Sequence, residues 1–418
     1  MRKILRTAWI SRIFSAAVIA LVATTTVSAE VVENPSGRSI WTPFPGDFRF
    51  TPGFPDTASR YDSFVFKQHT GDFDVLKVTG RFPHARYFSF NIYDFMVGTD
   101  IGALADFEIT PDQGSVNPYE VGQERSVTSR DYTVWLVKEG VPVPEHALNV
   151  IVLPAVSETF ALFTRVYRAD QGEDVFGGVL LPTIEALKAD MTSGQSPEFG
   201  VDLEGIIDAP KLLLNQDLVA SYDYLREFSG DDVVFHRLSD AGLYPNAHNE
   251  YIVSAMPSNY LNKVAVITFT PPTFEDTSEG DVFEGGKEVR YWSLCIGGVG
   301  ATTTTNCIRD DQAVLNPDGT VTICIAPLYL KRKIEAAGYN HIRWGAMYKP
   351  LVLHRHLLAD EGFTSSISSV PVIGKPPAPE DLNQQYFDEN RALNYMGEYS
   401  PTGTVYTVLE FLWWLREQ

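Results

Sequence analysis

The residue pattern in this chain best suited to chemistry is His354-Arg355-His356. In a strand, positions i and i+2 point to one face, so both imidazoles are able to ligate one divalent metal. Glu361 follows five residues later, and His341 or His248 would complete the set. A metal held this way polarises a carbonyl or activates a water, which makes a metal-assisted hydrolase or lyase the enzymatic reading. Two histidines alone do not specify a metal, because a site needs a third and a fourth ligand. The plainer reading is two histidines making ordinary hydrogen bonds on a rim or core face.

Arg165 and Arg355 stand in similar local sequences, RVYRADQG and RHLLADEG. A guanidinium fork there recognises a carboxylate or a sugar, or it pairs with the nearby Asp170 or Asp360 and ties strand to loop. Tyr291, Trp292 and Trp344 offer flat rings for stacking on sugars or apolar ligands, so with Arg355 they form the candidate ligand-binding set. Several reaction classes lack their motifs. There is no Gly-x-Ser-x-Gly elbow, no phosphate-cradling Gly-Lys-Ser/Thr loop and no His-Glu-x-x-His. The run Gly297-Gly-Val-Gly300 lacks the strand–helix spacing of a dinucleotide site.

The elements that must position these residues are mostly strands. Short runs rich in Val, Ile, Phe, Tyr and Thr, punctuated by Gly, Pro, Asn and Asp, recur from Tyr61 onward. Arg86–Tyr93 alternates, with Phe88, Phe90 and Ile92 on one face and Tyr87, Ser89, Asn91 and Tyr93 on the other. Pro182 to Met191 and Ala209 to Phe228 carry helical spacing, so 180–230 is predicted to be a helical connector. The second half repeats blocks of the first in order. RYWSLCI from Arg290 matches RYFSFNI from Arg86, NHIRWGA from Asn340 matches NVIVLPA from Asn149, and Arg355 falls on Arg165. Three matches in one order predict an internal duplication. A lone sheet cannot bury both faces, so each copy needs two layers. The expected fold is mainly β: two jelly-roll-like β-sandwich units, 61–179 and 231–374, preceded by an extended arm over 30–60. Residues 375–418 then form a segment docked on the core.

The blocks RYFSFNIYD (86–94), LFTRVYR (162–168), RYWSL (290–294) and NPDGTVTICI (316–325) resemble the paired domains of unknown function found in bacterial secreted and envelope proteins. That resemblance implies two jelly-roll-like sandwiches and no settled activity or catalytic residue.

The N-terminal 29 residues read as a signal peptide. Arg2, Lys3, Arg6 and Arg12 precede an apolar Ile13–Ala23 stretch, and Val27-Ser28-Ala29 offers a cleavage site. The apolar run is shorter than the ~20 residues a spanning helix needs. A periplasmic or secreted location follows, and there one disulfide is expected from Cys295, Cys307 and Cys324. Cys295–Cys307, flanking a Gly/Thr-rich connection, is favoured over Cys295–Cys324. The formal net charge is −20, which argues against nucleic acid as a partner, because binding it requires a basic face, and against electrostatic docking on anionic membranes. The functional expectation is an envelope-associated protein binding a carbohydrate or small apolar ligand.

Overall fold

A computed structural model describes residues 40–44, 53–199, 216–239, 244–374 and 383–418, all within one compact unit. The predicted signal peptide, parts of the arm, residues 200–215 of the connector and 375–382 lie outside the described residues.

The chain is mainly β. In its first half, strands β1 (Thr42–Phe44), β2 (Ser59–Lys67), β3 (Val75–Arg81), β4 (Ala85–Asp94), β5 (Asp100–Ala105), β6 (Asp131–Lys138), β7 (Asn149–Leu153), β8 (Thr159–Ala169) and β9 (Thr183–Leu187) form two sheets. Their orders are β1-β2-β8-β4-β5 and β7-β6-β3-β9. Helix α1 (Gln216–Ser229) follows. The second half contains β10 (Asp232–Val233), β11 (Arg237–Leu238), β12 (Asn249–Ala255), β13 (Lys263–Phe269), β14 (Val289–Gly298), β15 (Thr303–Arg309), β16 (Val321–Ala326), β17 (Asn340–Arg343), β18 (Pro350–Ala359), β19 (Val372–Ile373) and β20 (Thr402–Thr407). Its main sheets run β12-β18-β14-β15 and β10-β20-β13-β16-β17. The pairing therefore corresponds between halves: β12, β18, β14 and β15 stand where β2, β8, β4 and β5 stand. Each half also has one parallel pair at the corresponding edge, β6 with β7 and β16 with β17.

The alternation of β4 explains the layering. Phe88, Phe90 and Ile92 enter the core between the two sheets of the first half, against Val78, Tyr132, Val134 and Leu136. Tyr87 and Tyr93, on the opposite face, pack with Tyr61, Tyr167, Tyr291 and Leu357, so the β4 sheet lies back to back with the β14 sheet of the second half. Trp292, Leu294 and Ile296 then point the other way, onto Ile267, Phe269 and Ile323 of the outermost sheet. An aromatic-polar face that reads as half-exposed on a lone sheet is thus buried between the β4 and β14 sheets.

Local chemistry accounts for the turns and caps. In Asn316–Thr320, Gly319 takes φ +87° and Asn316 N–H bonds Thr320 O at 2.8 Å, the hairpin turn that its Asp-Gly dipeptide favours. Leu218, Tyr222 and Leu225 of α1 recur at helical spacing and are buried against β12 and β18 residues Val253, Leu351 and Leu353.

Two expectations are corrected. The stretch after Pro182 is not helical: Thr183–Leu187 is β9, paired antiparallel with β3. Glu, Ala, Leu and Lys favour a helix there, but pairing the exposed edge of β3 and burying Ala186 and Leu187 outweighs a preference of only tenths of a kcal/mol per residue. The C-terminal segment is also more than a docked element. Thr402–Thr407 is β20, inserted between β10 and β13, so the second half's sheets extend past residue 374. Helix α2 (Lys331–Ala336) follows Pro327 and ends before Gly338, and α3 (Gln384–Glu389), α4 (Leu393–Met396) and α5 (Val408–Glu417) complete the helices.

Candidate functional site

His354 and His356 do share a face of β18, as their spacing requires, but that face is the core of the second half. Both are fully buried. Their Nε2 atoms lie 3.1 Å apart, with Phe269 and Trp292 against His354 and Phe363 against His356. Burial lowers His354 to about 3 and drives His356 well below its ordinary range, helped by His354. Both rings are therefore neutral, one donating to the other. The other two predicted ligands lie elsewhere. His341, on β17, contacts the Ala326 carbonyl through Nε2 at 3.1 Å, and Glu361 is exposed in the turn after β18. Among the described residues, the one triad of close metal-ligand types is Asp56, Cys295 and Cys307. Its sulfurs are spent in the Cys295–Cys307 disulfide, which joins neighbouring positions of β14 and β15. Cys324 is free and buried. The four predicted ligands thus do not form one site. Periodicity places two side chains on a face but cannot say that the face is interior.

The predicted ligand-binding residues are core residues too. Tyr291, Trp292, Trp344 and Arg355 are all about 1% exposed or less. Arg355 does not pair with Asp360, nor Arg165 with Asp170, which binds Arg125 at 2.6 Å. Arg355 instead grips an arm from the first half: it pairs with Asp56 and donates to the Phe54 carbonyl at 3.1 Å. Tyr291 and Ser293 hydroxyls also donate to Asp56, at 2.9 and 2.6 Å. Burial pushes the Asp56 carboxyl up, but the Arg355 charge and these hydrogen bonds outweigh it and hold the group below its usual value. Arg165 makes the reciprocal contact, donating to the Tyr244 carbonyl at 2.8 Å and to Asn91. Tyr87 donates to Asn246 Oδ1 at 3.1 Å.

Phe54 and Tyr244 both adopt positive φ, +48° and +52°. Each opens an aromatic-Pro-Asp/Asn segment that lies across the other half's central arginine. The sequence signal was available, since Phe54-Pro-Asp56 and Tyr244-Pro-Asn246 recur at the same offset as Arg165 and Arg355. His248 belongs to this layer, with Nδ1 2.7 Å from the Tyr87 hydroxyl and Nε2 3.6 Å from Glu108.

An open concavity lies at the edge of the same interface. A cleft of about 480 Å³ is lined from the first half by Phe107, Tyr119, Glu120 and Val121, and from the second by residues of 275–290 and 358–361. Tyr119 and Phe283 stack as its floor, with ring centroids 5.8 Å apart. Arg290 lies 4.1 Å over Phe283 and reaches Asp106 at 3.3 Å. Phe107 and Val121 stay exposed at the rim, as do Glu120, Lys287 and Glu361. Glu275 accepts from the N–H groups of Glu284 and Gly285, at 2.8 and 2.7 Å, and so shapes one wall. Gly285 is at φ +77°, and a Cβ there would come within 3.3 Å of Val121. Tyr119 and Phe283 are themselves buried, so the surface offered to a ligand is the exposed Phe107 and Val121 beside carboxylate acceptors and a lysine donor, which suits a polyhydroxylated or apolar small molecule. Sequence reasoning missed this site because its lining comes from loops and strand ends of both halves, far apart in the chain.

No family model matches this chain, and no curated protein does. Among solved structures, it is similar to a putative uncharacterized protein from Burkholderia cenocepacia, at 14% identity over 74% of this chain and 75% of that one, with a TM-score of 0.48. It is also similar to the VPA0106 protein from Vibrio parahaemolyticus, at 12% identity over 74% and 87%, with a TM-score of 0.40. Likeness at this level assigns neither a fold family nor an activity.

Proposed function

We propose that this is a secreted or periplasmic, envelope-associated protein built from two duplicated jelly-roll-like sandwiches, and that it binds a carbohydrate or small apolar ligand in the cleft between them. The corresponding strand orders and the reciprocal arms support the duplication. The disulfide is compatible with an oxidising compartment, and no helix among the described residues is long and apolar enough to cross a membrane. The observation that carries the binding reading is the cleft itself, a concave surface where exposed Phe107 and Val121 stand above a packed aromatic pair. The metal-hydrolase alternative loses its support, because the neutral pair His354 and His356 is sealed in the core, away from Glu361 and His341.

The test is calorimetric titration of the purified protein with chito- and malto-oligosaccharides, alongside fluorescence titration with anilinonaphthalene sulfonate as an apolar probe. Phe107→Asp and Val121→Arg change exposed side chains, and circular dichroism checks that both variants are folded. Saturable binding by the wild type, weakened about tenfold or more in these variants, is expected. No binding by any probe, or binding equal in the variants, rejects the reading.

A further inference from the structure

On the outer face of the second half, far in sequence from the cleft, α5 packs beside α2 on the sheet containing β13 and β16. Phe411 is its anchor, buried with Val264, Val266, Leu330 and Ile334. The helix is capped by Thr407, which accepts from Glu410 N–H, while Glu410 accepts from Thr407 N–H at 2.7 Å. Anchoring through Phe411 turns Leu409 and Trp413 outward, and they are 73% and 68% exposed. The patch continues beyond the helix. Val408 N–H bonds the Asn262 carbonyl beside exposed Leu261, and the Tyr329 hydroxyl bonds the Leu261 carbonyl at 3.3 Å. Trp414 lies 5.4 Å from Tyr339, the residue after the α2 turn. At the edge of this apolar surface α2 presents Lys331, Arg332 and Lys333, all exposed. Glu335 lies 3.6 Å from Lys331, and α5 itself carries exposed Glu410, Arg416 and Glu417, so the face keeps a small positive excess.

We propose that this face docks on a bilayer containing anionic phospholipid, with Leu409, Trp413 and Tyr329 entering the headgroup boundary and the α2 basic triplet meeting the phosphates. Trp, Leu and Tyr on an unpartnered helical surface, bordered by Lys and Arg, are what interfacial insertion requires. The overall charge of −20 does not oppose this. Screening confines each charge to roughly 8–10 Å at physiological salt, so the membrane meets the charges of α2 and α5, where Lys331, Arg332, Lys333 and Arg416 outnumber Glu335, Glu410 and Glu417, rather than the whole molecule. The mode is peripheral and complements the absence of a spanning helix among the described residues.

The test is cosedimentation of the protein with vesicles of pure phosphatidylcholine and of phosphatidylcholine with phosphatidylglycerol, with tryptophan emission read in parallel. Binding to the anionic vesicles, a blue shift, and release at high salt are expected. At about fivefold per charge, Lys331→Gln/Arg332→Gln/Lys333→Gln lowers partitioning about a hundredfold. Leu409→Ser/Trp413→Ser abolishes the blue shift, and circular dichroism confirms that both variants are folded. Binding that survives undiminished in both variants, or no binding by the wild type, overturns the proposal. So does sedimentation showing a dimer that Leu409→Ser/Trp413→Ser dissociates without any vesicle binding, since a second copy then covers this face.

Discussion

Arg86, at the start of β4 in the first half, holds the Asp310 carboxylate of the second half at 2.6 Å, with both side chains fully buried. Arg290, its counterpart on β14, reaches back to Asp106, the counterpart of Asp310, at 3.3 Å. Each aspartate also accepts from the strand beside it, Asp106 from Phe88 N–H and Asp310 from Trp292 N–H. The two halves clasp one another through the same pair used twice, as subunits do in an isologous dimer.

Removing one member of the tighter pair strands a buried charge. Arg86→Met is expected to cost about 3–5 kcal/mol in urea unfolding. Arg290→Met should cost less, because its guanidinium is longer-ranged and 15% exposed. Arg86→Met/Asp310→Leu should recover part of the loss. Equal costs for the two single variants would show that the clasp is not what holds the halves.

The Asp56 arm has a defined pH signature. Its folded pKa lies below the ordinary value of 3.8, so its contribution is present above that value and is lost as pH falls through the lower folded one. Asp56→Asn should therefore be destabilised at neutral pH, with the gap to wild type closing below about pH 4. Hydrogen exchange should place the opening at residues 53–58.

Histidines act over a higher range. Burial lowers His354 to about 3 and His236 to about 4, against 6.5 unfolded. Stability held by such groups is present above 6.5 and declines as pH falls toward the folded value, by about 1.4 kcal/mol per pH unit for each proton taken up. Urea midpoints at pH 7, 6 and 5 should show this decline. His354→Phe should flatten it by one proton, and an unchanged slope would contradict a neutral buried His354.

Cysteine chemistry separates the disulfide from the free thiol. Cys295→Ala/Cys307→Ala should lower stability by about 2–4 kcal/mol. Cys324, whose thiol burial pushes up to about 12, should resist a thiol reagent in the folded protein and react once it unfolds. Modification of the native protein at a rate matching an exposed thiol would refute its burial.

The strand-rich character, the two-faced β4 and the Cys295–Cys307 pairing were legible because they depend on local alternation and short-range spacing. His354 and His356 do share one face of β18, with their Nε2 atoms 3.1 Å apart. What alternation cannot say is what lies opposite a face. Tyr87, Tyr291, Arg165 and Arg355 look like ligand-binding chemistry on a single sheet and become packing once a second sheet covers them. Thr183–Leu187 shows the same limit, since its helical composition yields to an unpaired strand edge on β3. Period and composition thus determined which residues share a surface in this chain. Only tertiary packing decided which surfaces meet, because burying an arginine or a tyrosine hydroxyl requires partners such as Asp56, Asp310 and Asn246, brought in from across the chain.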